Sequence, residues 1–529
     1  MTHATHSPSL QSTCKRVGSR ATLRWFSVGL SSLPALLLSA GVAHAQEAVG
    51  SVQVGVPVRP ATVDVEPPAE KPKDSPPVVY VPPASAEASQ YPQGKFEFGS
   101  YGRVRVASDL RGGTGRPANI VSHGARFDET DYAELELRRE DKITPDVDSK
   151  VVATMALFGP FFHFTGNPSD NIGVRNLYAQ ARYKDLTIWA GARMYRGDDI
   201  YVLDYWPLDN QNTVGGGAGA KVYETRAENG TTYETKVQAH FGMNRLGDTY
   251  QYQKLSVVAP FGFGTTDITK LDRPRMVETL KLTELVKSGK DRSGFKVILY
   301  GEAQQLSAGV STDTNTHLEQ ALPSETGFLV GSELAYFTGE RDTYVALFLK
   351  HARGIAAYDP LSVPLTFAAD RSVGDATESL VALGGNYERG AFGVVGGAYF
   401  RAFRDASATQ TGTQKYDEGA IVLRPQAYVT DHFGVALDAS YQARRTAIID
   451  PNGSGALAAS VVRAALMPYF SPWGRGSFKR PQIYAIYATT FRDSGARALY
   501  APEDVFSQRK IEHFAGIGAE WWFNSSSYP

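Results

Sequence analysis

Cysteine is almost absent from this chain of 529 residues: the one cysteine is Cys14. It lies in an N-terminal segment that is predicted to be removed, so the mature protein has neither disulfide bonds nor a reactive thiol. Zinc-thiolate sites and cysteine nucleophiles are therefore excluded. An excess of one charge is also lacking, because the formal net charge is -1. That balance gives no indication of nucleic-acid binding.

Long apolar runs are lacking after residue 45, so we expect no transmembrane helices there. No metal-binding or cofactor-binding motif is recognised, so we expect no cofactor. The apolar stretch Trp25–Val42 precedes Ala43-His44-Ala45, a small-x-small cleavage site. It follows four basic residues, namely Lys15, Arg16, Arg20 and Arg24. This pattern predicts a secretory signal peptide over residues 1–45. A membrane anchor is the alternative, which the serines and Pro34 within the stretch disfavour.

Aromatic residues are scarce in residues 46–94, where proline is frequent. Such a composition favours an extended, polyproline-like chain that packs no core. We interpret this segment as a proline-rich periplasmic linker. A docking arm for the cell wall or for a periplasmic protein remains the alternative.

The chain is rich in glycine and aromatic residues, with 51 Gly, 27 Tyr and 26 Phe in all. From Lys95 onward, polar and apolar residues alternate with a period of two. In the first segment Tyr101 and Arg103 share one face, while Phe98 and Val104 share the other. The final segment likewise sets Trp522 opposite Trp521. One face suits lipid and the other suits water, which predicts an all-β fold, a transmembrane antiparallel β-barrel over residues 95–529.

Long and short connections alternate along the first half of the chain, as external loops and periplasmic turns do in such barrels. The candidate strands number about nineteen, whereas closed bacterial barrels have even counts. If residues 276–286 are not part of the wall, about eighteen strands remain. The pattern leaves that segment open.

Four short strings together resemble the maltoporins and sucrose porins. They are Phe98-Gly-Ser-Tyr-Gly-Arg103, Tyr132-Ala-Glu-Leu-Glu-Leu137, Trp189-Ala-Gly-Ala-Arg-Met-Tyr195 and Glu520-Trp-Trp-Phe523. The resemblance implies an 18-stranded barrel in the outer membrane of a Gram-negative bacterium, usually a homotrimer, with a third loop folded inward. It also implies facilitated diffusion of maltodextrin-like oligosaccharides along a row of aromatic side chains, the slide, beside a track of polar ones.

Carried over residue by residue, the resemblance gives a slide that includes Tyr101, Tyr132 and Trp522. It gives a polar track that includes Arg103, Glu134, Arg175, Asp199 and Asp204. Trp206 stands where the family has a constricting tyrosine. The aromatics Trp521 and Phe523 have the opposite parity and are expected at the membrane interface instead.

The chain departs from the family pattern at several positions. Gly197 stands where the family has an arginine, and the neighbouring Arg196 could take the place of that arginine. In the alternation of its strand, Arg175 falls on the same face as its lipid-facing neighbours. Its side chain is therefore expected to face the lumen only if the strand begins after Arg175. Phe478 and Trp473 are candidates for the remaining slide aromatics. Six residues, 524–529, follow the aromatic end, where many barrels stop.

Catalysis is not expected from these residues. Carboxylates at i and i+2 of one strand lie about 7 Å apart along one wall and cannot flank a glycosidic bond. The functions that stay open beside sugar transport are a general-diffusion porin without sugar specificity and a structural outer-membrane anchor. A general-diffusion porin would differ from a sugar channel in that sugars would not block its ion current. A structural anchor would differ in that it would show no conductance.

Overall fold

The computed structural model describes residues 94–159, 172–290, 292–338, 343–408, 415–450 and 455–525. The predicted signal peptide and, apart from Gly94, the proline-rich linker lie outside the described residues. The two assignments therefore stay predictions.

Eighteen strands form one sheet. In chain order they are β1 (Lys95–Ser108), β2 (Tyr132–Thr144), β3 (Val147–Phe158), β4 (Ile172–Tyr183), β5 (Leu186–Met194), β6 (Asn212–Arg226), β7 (Thr232–Asn244), β8 (Arg275–Lys287), β9 (Gly294–Leu306), β10 (Glu325–Phe337), β11 (Tyr344–Gly354), β12 (Thr377–Arg389), β13 (Phe392–Arg404), β14 (Tyr416–Tyr428), β15 (Phe433–Ile449), β16 (Ala456–Phe470), β17 (Gln482–Arg492) and β18 (Ile511–Phe523).

The sheet is closed, because β1 pairs antiparallel with both β2 and β18. Tyr101 lies opposite Glu134 on one side and opposite Trp522 on the other. Closure leaves no strand edge with unpaired backbone groups, which is what a sheet in lipid requires. The prediction of a closed antiparallel barrel of about eighteen strands is confirmed.

The segment left open by the sequence is a wall strand, since β8 pairs with β7 and with β9 along its length. The count is still eighteen because other extended segments stay out of the wall. The strands Tyr252–Val258 and Thr265–Asp272 form a hairpin of their own within the β7–β8 connection. A second hairpin, Gly309–Thr312 with Glu319–Leu322, lies within the β9–β10 connection.

The polarity of the barrel is the reverse of that of a water-soluble protein. On β2 the side chain of Leu137 is 61 % exposed on the outer face, whereas its neighbour Glu136 is 1 % exposed inside. The apolar outer face suits lipid, and the polar inner face suits a water-filled lumen. Among the described residues, no helix is long and apolar enough to cross a bilayer.

The connections differ sharply in length at the two ends of the barrel. Residues 145–146 and 184–185 are short turns, whereas loop 1 (residues 109–131) and loop 3 (residues 195–211) are long. One connection at the short-turn end is longer than its neighbours and is called turn 8 (residues 471–481). Loop 1, loop 3 and turn 8 position the candidate site.

Candidate functional site

Loop 3 folds into the lumen and packs on the opposite wall. Its tip forms a tight turn, in which the Ile200 amide donates to the Tyr205 carbonyl over 2.8 Å. The side chains of Ile200 and Val202 are 0 % exposed. They lie against Gly397 on β13, where an added Cβ would overlap Ile200. The apolar tip and the bare wall glycine together hold the loop across the pore.

Loop 1 also crosses the lumen, which the sequence pattern did not indicate. Ile120 and Val121 are almost fully buried. The Ile120 amide donates to Gln442 Oε1 over 3.0 Å, and the His123 amide donates to the Tyr399 hydroxyl over 3.2 Å. The acceptors lie on β15 and β13, about 300 residues along the chain from the donors. No local pattern could have revealed these pairings.

Six aromatic rings follow one another through the lumen from the β1–β2 wall to β11. Successive ring centroids are 5.9, 6.5, 6.0, 5.4 and 6.4 Å apart along the row Tyr132, Tyr101, Trp522, Tyr201, Phe478 and Tyr344. Three of these rings are the predicted slide aromatics. Tyr201 is supplied by loop 3, and the candidate Phe478 is supplied by turn 8. Trp473, the other candidate, is 73 % exposed and lies outside the row.

Guanidinium groups lie on the faces of several of these rings. The Arg480 Cζ is 4.2 Å from the Trp522 centroid, and the Arg126 Cζ is 4.5 Å from the Tyr201 centroid. Arg175 lies 5.6 Å from the Tyr132 ring. Such contacts are worth about 0.5–1 kcal/mol at exposed sites and more where water is excluded. Arginine and aromatic side chains therefore form one mixed surface.

Glu520 on β18 is the point where three connections meet. Its carboxylate accepts hydrogen bonds from Arg480 Nε at 2.9 Å and from the Tyr201 hydroxyl at 2.9 Å. Arg126 Nη2 of loop 1 donates to the other oxygen over 3.1 Å. Turn 8, loop 3 and loop 1 are thus joined at one buried carboxylate. Charge-assisted bonds of this kind are roughly twice as strong as neutral ones.

The two predicted aspartates of loop 3 have different surroundings. Asp204 has a left-handed backbone, with φ 47°, and lies 3.9 Å from Arg103 and 3.8 Å from Arg126. Burial would raise its pKa, but the two guanidinium groups outweigh burial and lower it. Asp199 has no ion pair within 4 Å among the described residues, and burial raises its pKa to about 6.

Arg175 reaches the lumen in spite of its unfavourable parity. In the β3–β4 pairing Thr154 lies opposite Asn176 and Met155 lies opposite Val174, so Arg175 is an extra residue in a β-bulge. Its Nε donates to the Tyr132 hydroxyl over 3.1 Å. The Tyr132 hydroxyl in turn donates to Glu134. The bulge, rather than a late strand start, is what turns Arg175 inward.

Most of the predicted site residues lie together, and Trp206 does not. Arg103 lies beside the row, because its Nη1 donates to the Tyr101 hydroxyl over 2.8 Å. Trp206 instead carries the Arg196 guanidinium 4.7 Å from its ring and lines a different cavity with Tyr205. Arg196, which could substitute at the Gly197 departure, lies on Trp206, and its charge also lowers the pKa of Asp204. Sequence reasoning missed Arg126 and Arg424, whose positions depend on distant pairing.

The family model for the LamB porins matches residues 96–523, which is most of the chain. The chain belongs to the LamB porin family. The predicted resemblance is thereby confirmed, and this porin is an outer-membrane channel by family and by fold. Among the described residues, no cluster of His, Cys, Asp and Glu could hold a metal ion. Among curated proteins, no relative matches the sequence.

Solved structures similar to this porin are outer-membrane barrels of low sequence identity. OmpT of Vibrio cholerae, in its trimer form, is 12 % identical, with 82 % of this chain and 100 % of that chain covered and a TM-score of 0.35. OmpF of Salmonella typhi, in complex with daunomycin, is 12 % identical, with coverages of 81 % and 98 % and a TM-score of 0.35. OccAB2 of Acinetobacter baumannii is 10 % identical, with coverages of 82 % and 98 % and a TM-score of 0.37.

Proposed function

We propose that this porin carries sugars, such as maltodextrin-like oligosaccharides, across the outer membrane by facilitated diffusion and without catalysis. The observation that carries the proposal is the continuous row of six lumenal rings bordered by charged hydrogen-bonding groups. A pyranose has flat faces of C–H groups that pack on aromatic rings, and it has an equator of hydroxyls that needs hydrogen bonds. A wall offering both lets a sugar exchange water for protein in small steps.

The proposed roles follow the chemistry of each side chain. Tyr132 and Trp522 supply ring surface, and Tyr101, which is 2 % exposed, packs between these two rings. Arg103, Glu134, Arg175, Asp199 and Asp204 supply donors and acceptors. Trp206 of loop 3 narrows the passage beside the cavity that it lines with Tyr205. Arg480 and Arg126 are held on their rings by Glu520. Arg175 forms no ion pair among the described residues and competes with the sugar for the face of Tyr132, at a stacking energy of about 0.5–2 kcal/mol.

The proposal includes a cleavable signal peptide over residues 1–45 and a homotrimer in outer-membrane lipid. It also gives residues 46–94 the role of a periplasmic linker that contacts the cell wall or a periplasmic protein. Export is supported by the basic segment, the apolar segment and the cleavage site in that order. The trimer is supported by the family to which the chain belongs.

Planar-bilayer conductance titrated with a panel of linear oligosaccharides tests the proposed function. We expect at least one linear gluco-oligosaccharide to block the ion current saturably, with a binding free energy on the order of 4–8 kcal/mol. Conductance that no sugar in the panel reduces would leave a general-diffusion porin. Absence of conductance in a folded barrel would favour the structural anchor.

A further inference from the structure

A cavity beside the aromatic row is unusually rich in arginine. It lies between loop 1, the tip of loop 3, turn 8 and the wall strands around β1 and β14 to β18. Two carboxylates, Glu129 and Glu520, also line it. The arginines that line it are Arg103, Arg105, Arg126, Arg424 and Arg480.

The carboxylates nearby neutralise four of these five arginines. Arg103 and Arg126 share Glu129 and Asp204, at distances of 3.2 to 3.9 Å. Glu520 pairs with Arg480 at 2.9 Å and with Arg126 at 3.1 Å. Thus three arginines share three acids. The fourth, Arg424, pairs with Asp438 at 2.9 Å.

Arg105 is the arginine that remains. Within the part of the chain that the structure describes, no carboxylate lies within 4 Å of its guanidinium, whose Nη1 donates to the Phe127 carbonyl. Two acids of loop 1 act on Arg105 without pairing with its side chain. Glu129 lines the same cavity and interacts with Arg105 electrostatically, and the Asp131 carboxylate accepts the backbone amide of Arg105 at 2.8 Å. Arg105 is therefore the one arginine of this cavity that forms no ion pair among the described residues.

Hydrogen-bond donors are also left over at this cavity. Among the described residues, Arg105 Nε, Arg424 Nη2 and Gln482 Nε2 are buried without a partner, and all three side chains line the cavity. Arg424 is only 7 % exposed. No side-chain acceptor of the described lining residues is left over in the same way. Behind the lining, Oδ1 of Asp438, the carboxylate that pairs with Arg424, is a buried acceptor without a partner. A buried donor without a partner costs about 1–3 kcal/mol, so these three donors favour an acceptor that enters the cavity.

Ring surface is available at the same place. Tyr201, Tyr469 and Tyr484 line the cavity together with the unpartnered donors. The aromatic surface suits a sugar ring, and the forked guanidinium groups suit the paired oxygens of a carboxylate or phosphate. A neutral sugar would present hydroxyls to these donors but would leave Arg105 without an ion pair.

We propose that the sugar for which this channel is selective carries an oxyanion, a carboxylate or a phosphate, which is bound by Arg105, Arg424 and Gln482. The inference rests on the proposed function and names its substrate class. It adds to the aromatic row a charged subsite beside Glu520. The oxyanion satisfies the three donors and pairs with Arg105.

The test compares acidic and neutral sugars in planar bilayers containing the full mature channel. Trigalacturonate is paired with maltotriose, and glucose 6-phosphate is paired with glucose. We expect at least one acidic sugar to block at a concentration at least tenfold below that of its neutral partner, and the two pairs distinguish carboxylate from phosphate. Equal block by acidic and neutral sugars would overturn the inference and leave the proposed function standing, whereas block by no sugar would overturn both.

Arg105→Gln locates the subsite. It breaks no ion pair among the described residues, so the variant should fold, and folding is checked by the shift in gel mobility on heating. We expect it to lose at least tenfold in affinity for the preferred acidic sugar and less than twofold for the neutral partner, with Arg105→Lys retaining most of the preference. Arg193→Gln is the matched control, because Arg193 is a lumenal arginine of β5 that lies outside the cavity and forms no ion pair among the described residues. Equal losses in Arg105→Gln and Arg193→Gln would overturn the assigned subsite.

Discussion

Adjacent residues of one strand have opposite roles at the end of the chain. Trp522 lies in the lumen, stacked with Tyr101 and covered by Arg480. Trp521 lies on the outer face, where its ring covers Gly102 and its indole N–H donates to Ser100 Oγ over 3.0 Å. The pair is therefore a natural control for any effect of removing an indole.

Trp522→Ala removes ring surface without removing a charge. We expect it to weaken sugar binding by roughly 1–3 kcal/mol, the range measured for bases that stack on aromatic side chains, with ion selectivity almost unchanged. Trp521→Ala should leave sugar affinity alone and reduce folding yield. Titrating current block in both variants checks this. Equal losses of affinity would contradict the role of Trp522 in the slide.

Asp199 gives the channel a titratable charge near neutral pH. Burial raises the pKa of Asp199 to about 6, so its carboxylate is charged at pH 8 and becomes mostly neutral below pH 6. Loss of this negative charge should shift ion selectivity toward anions as the pH falls from 7 to 5. Reversal potentials in a salt gradient measure the shift. Asp199→Asn should reduce that step without abolishing it, because burial raises the pKa of Glu129 in loop 1 to about 7. A step of unchanged size in the variant would assign it to groups other than Asp199.

At the scale of elements, loop 3 is one of two connections that cross the lumen. Deleting residues Asp199 to Asp209 should raise single-channel conductance and weaken sugar block together, because the loop tip is buried against β13. The matched control is deletion of residues 259–264, the exposed turn of the hairpin in the β7–β8 connection, where Phe261 is 94 % exposed. That control should leave conductance unchanged. A conductance that stays constant when loop 3 is shortened would refute the constriction.

The strands could be predicted from the sequence far better than the contacts between loops. Alternation along β1 and β18 is a local property, so the lumenal faces of Tyr101 and Trp522 follow from parity alone. Arg175 could not be assigned that way, because a single bulge reverses parity and leaves no mark in the pattern. The position of loop 1 depends on acceptors such as Gln442, which pairing brings near from the far end of the chain.

The whole molecule is held together differently from a water-soluble protein. Its wall is closed by backbone pairing, and its interior is filled by connections bound through buried charges rather than by an apolar core alone. Arg463 on β16 and Asp128 of loop 1, for example, form an ion pair in which both side chains are 1 % exposed. Breaking one member of such a pair costs about 3–5 kcal/mol, since the other charge is left buried.

Glu520 allows a test of how far the molecule depends on buried charges, because loop 1, loop 3 and turn 8 all bind its carboxylate. Glu520→Gln keeps the shape but removes the charge shared by Arg126 and Arg480. We expect larger and noisier single-channel currents, because all three connections loosen at once, together with a lower unfolding temperature.

Glu512→Gln is the control for that experiment, because Glu512 is a buried lumenal carboxylate of the same strand that pairs only with nearby Arg509 among the described residues. Its loss should leave the current noise at the wild-type level, since neither loop 3 nor turn 8 contacts it. Comparable noise in the two variants would mean that any buried lumenal charge steadies the channel. If only Glu520→Gln increases the current noise, the stable open pore depends on this one carboxylate, where connections from opposite ends of the barrel meet.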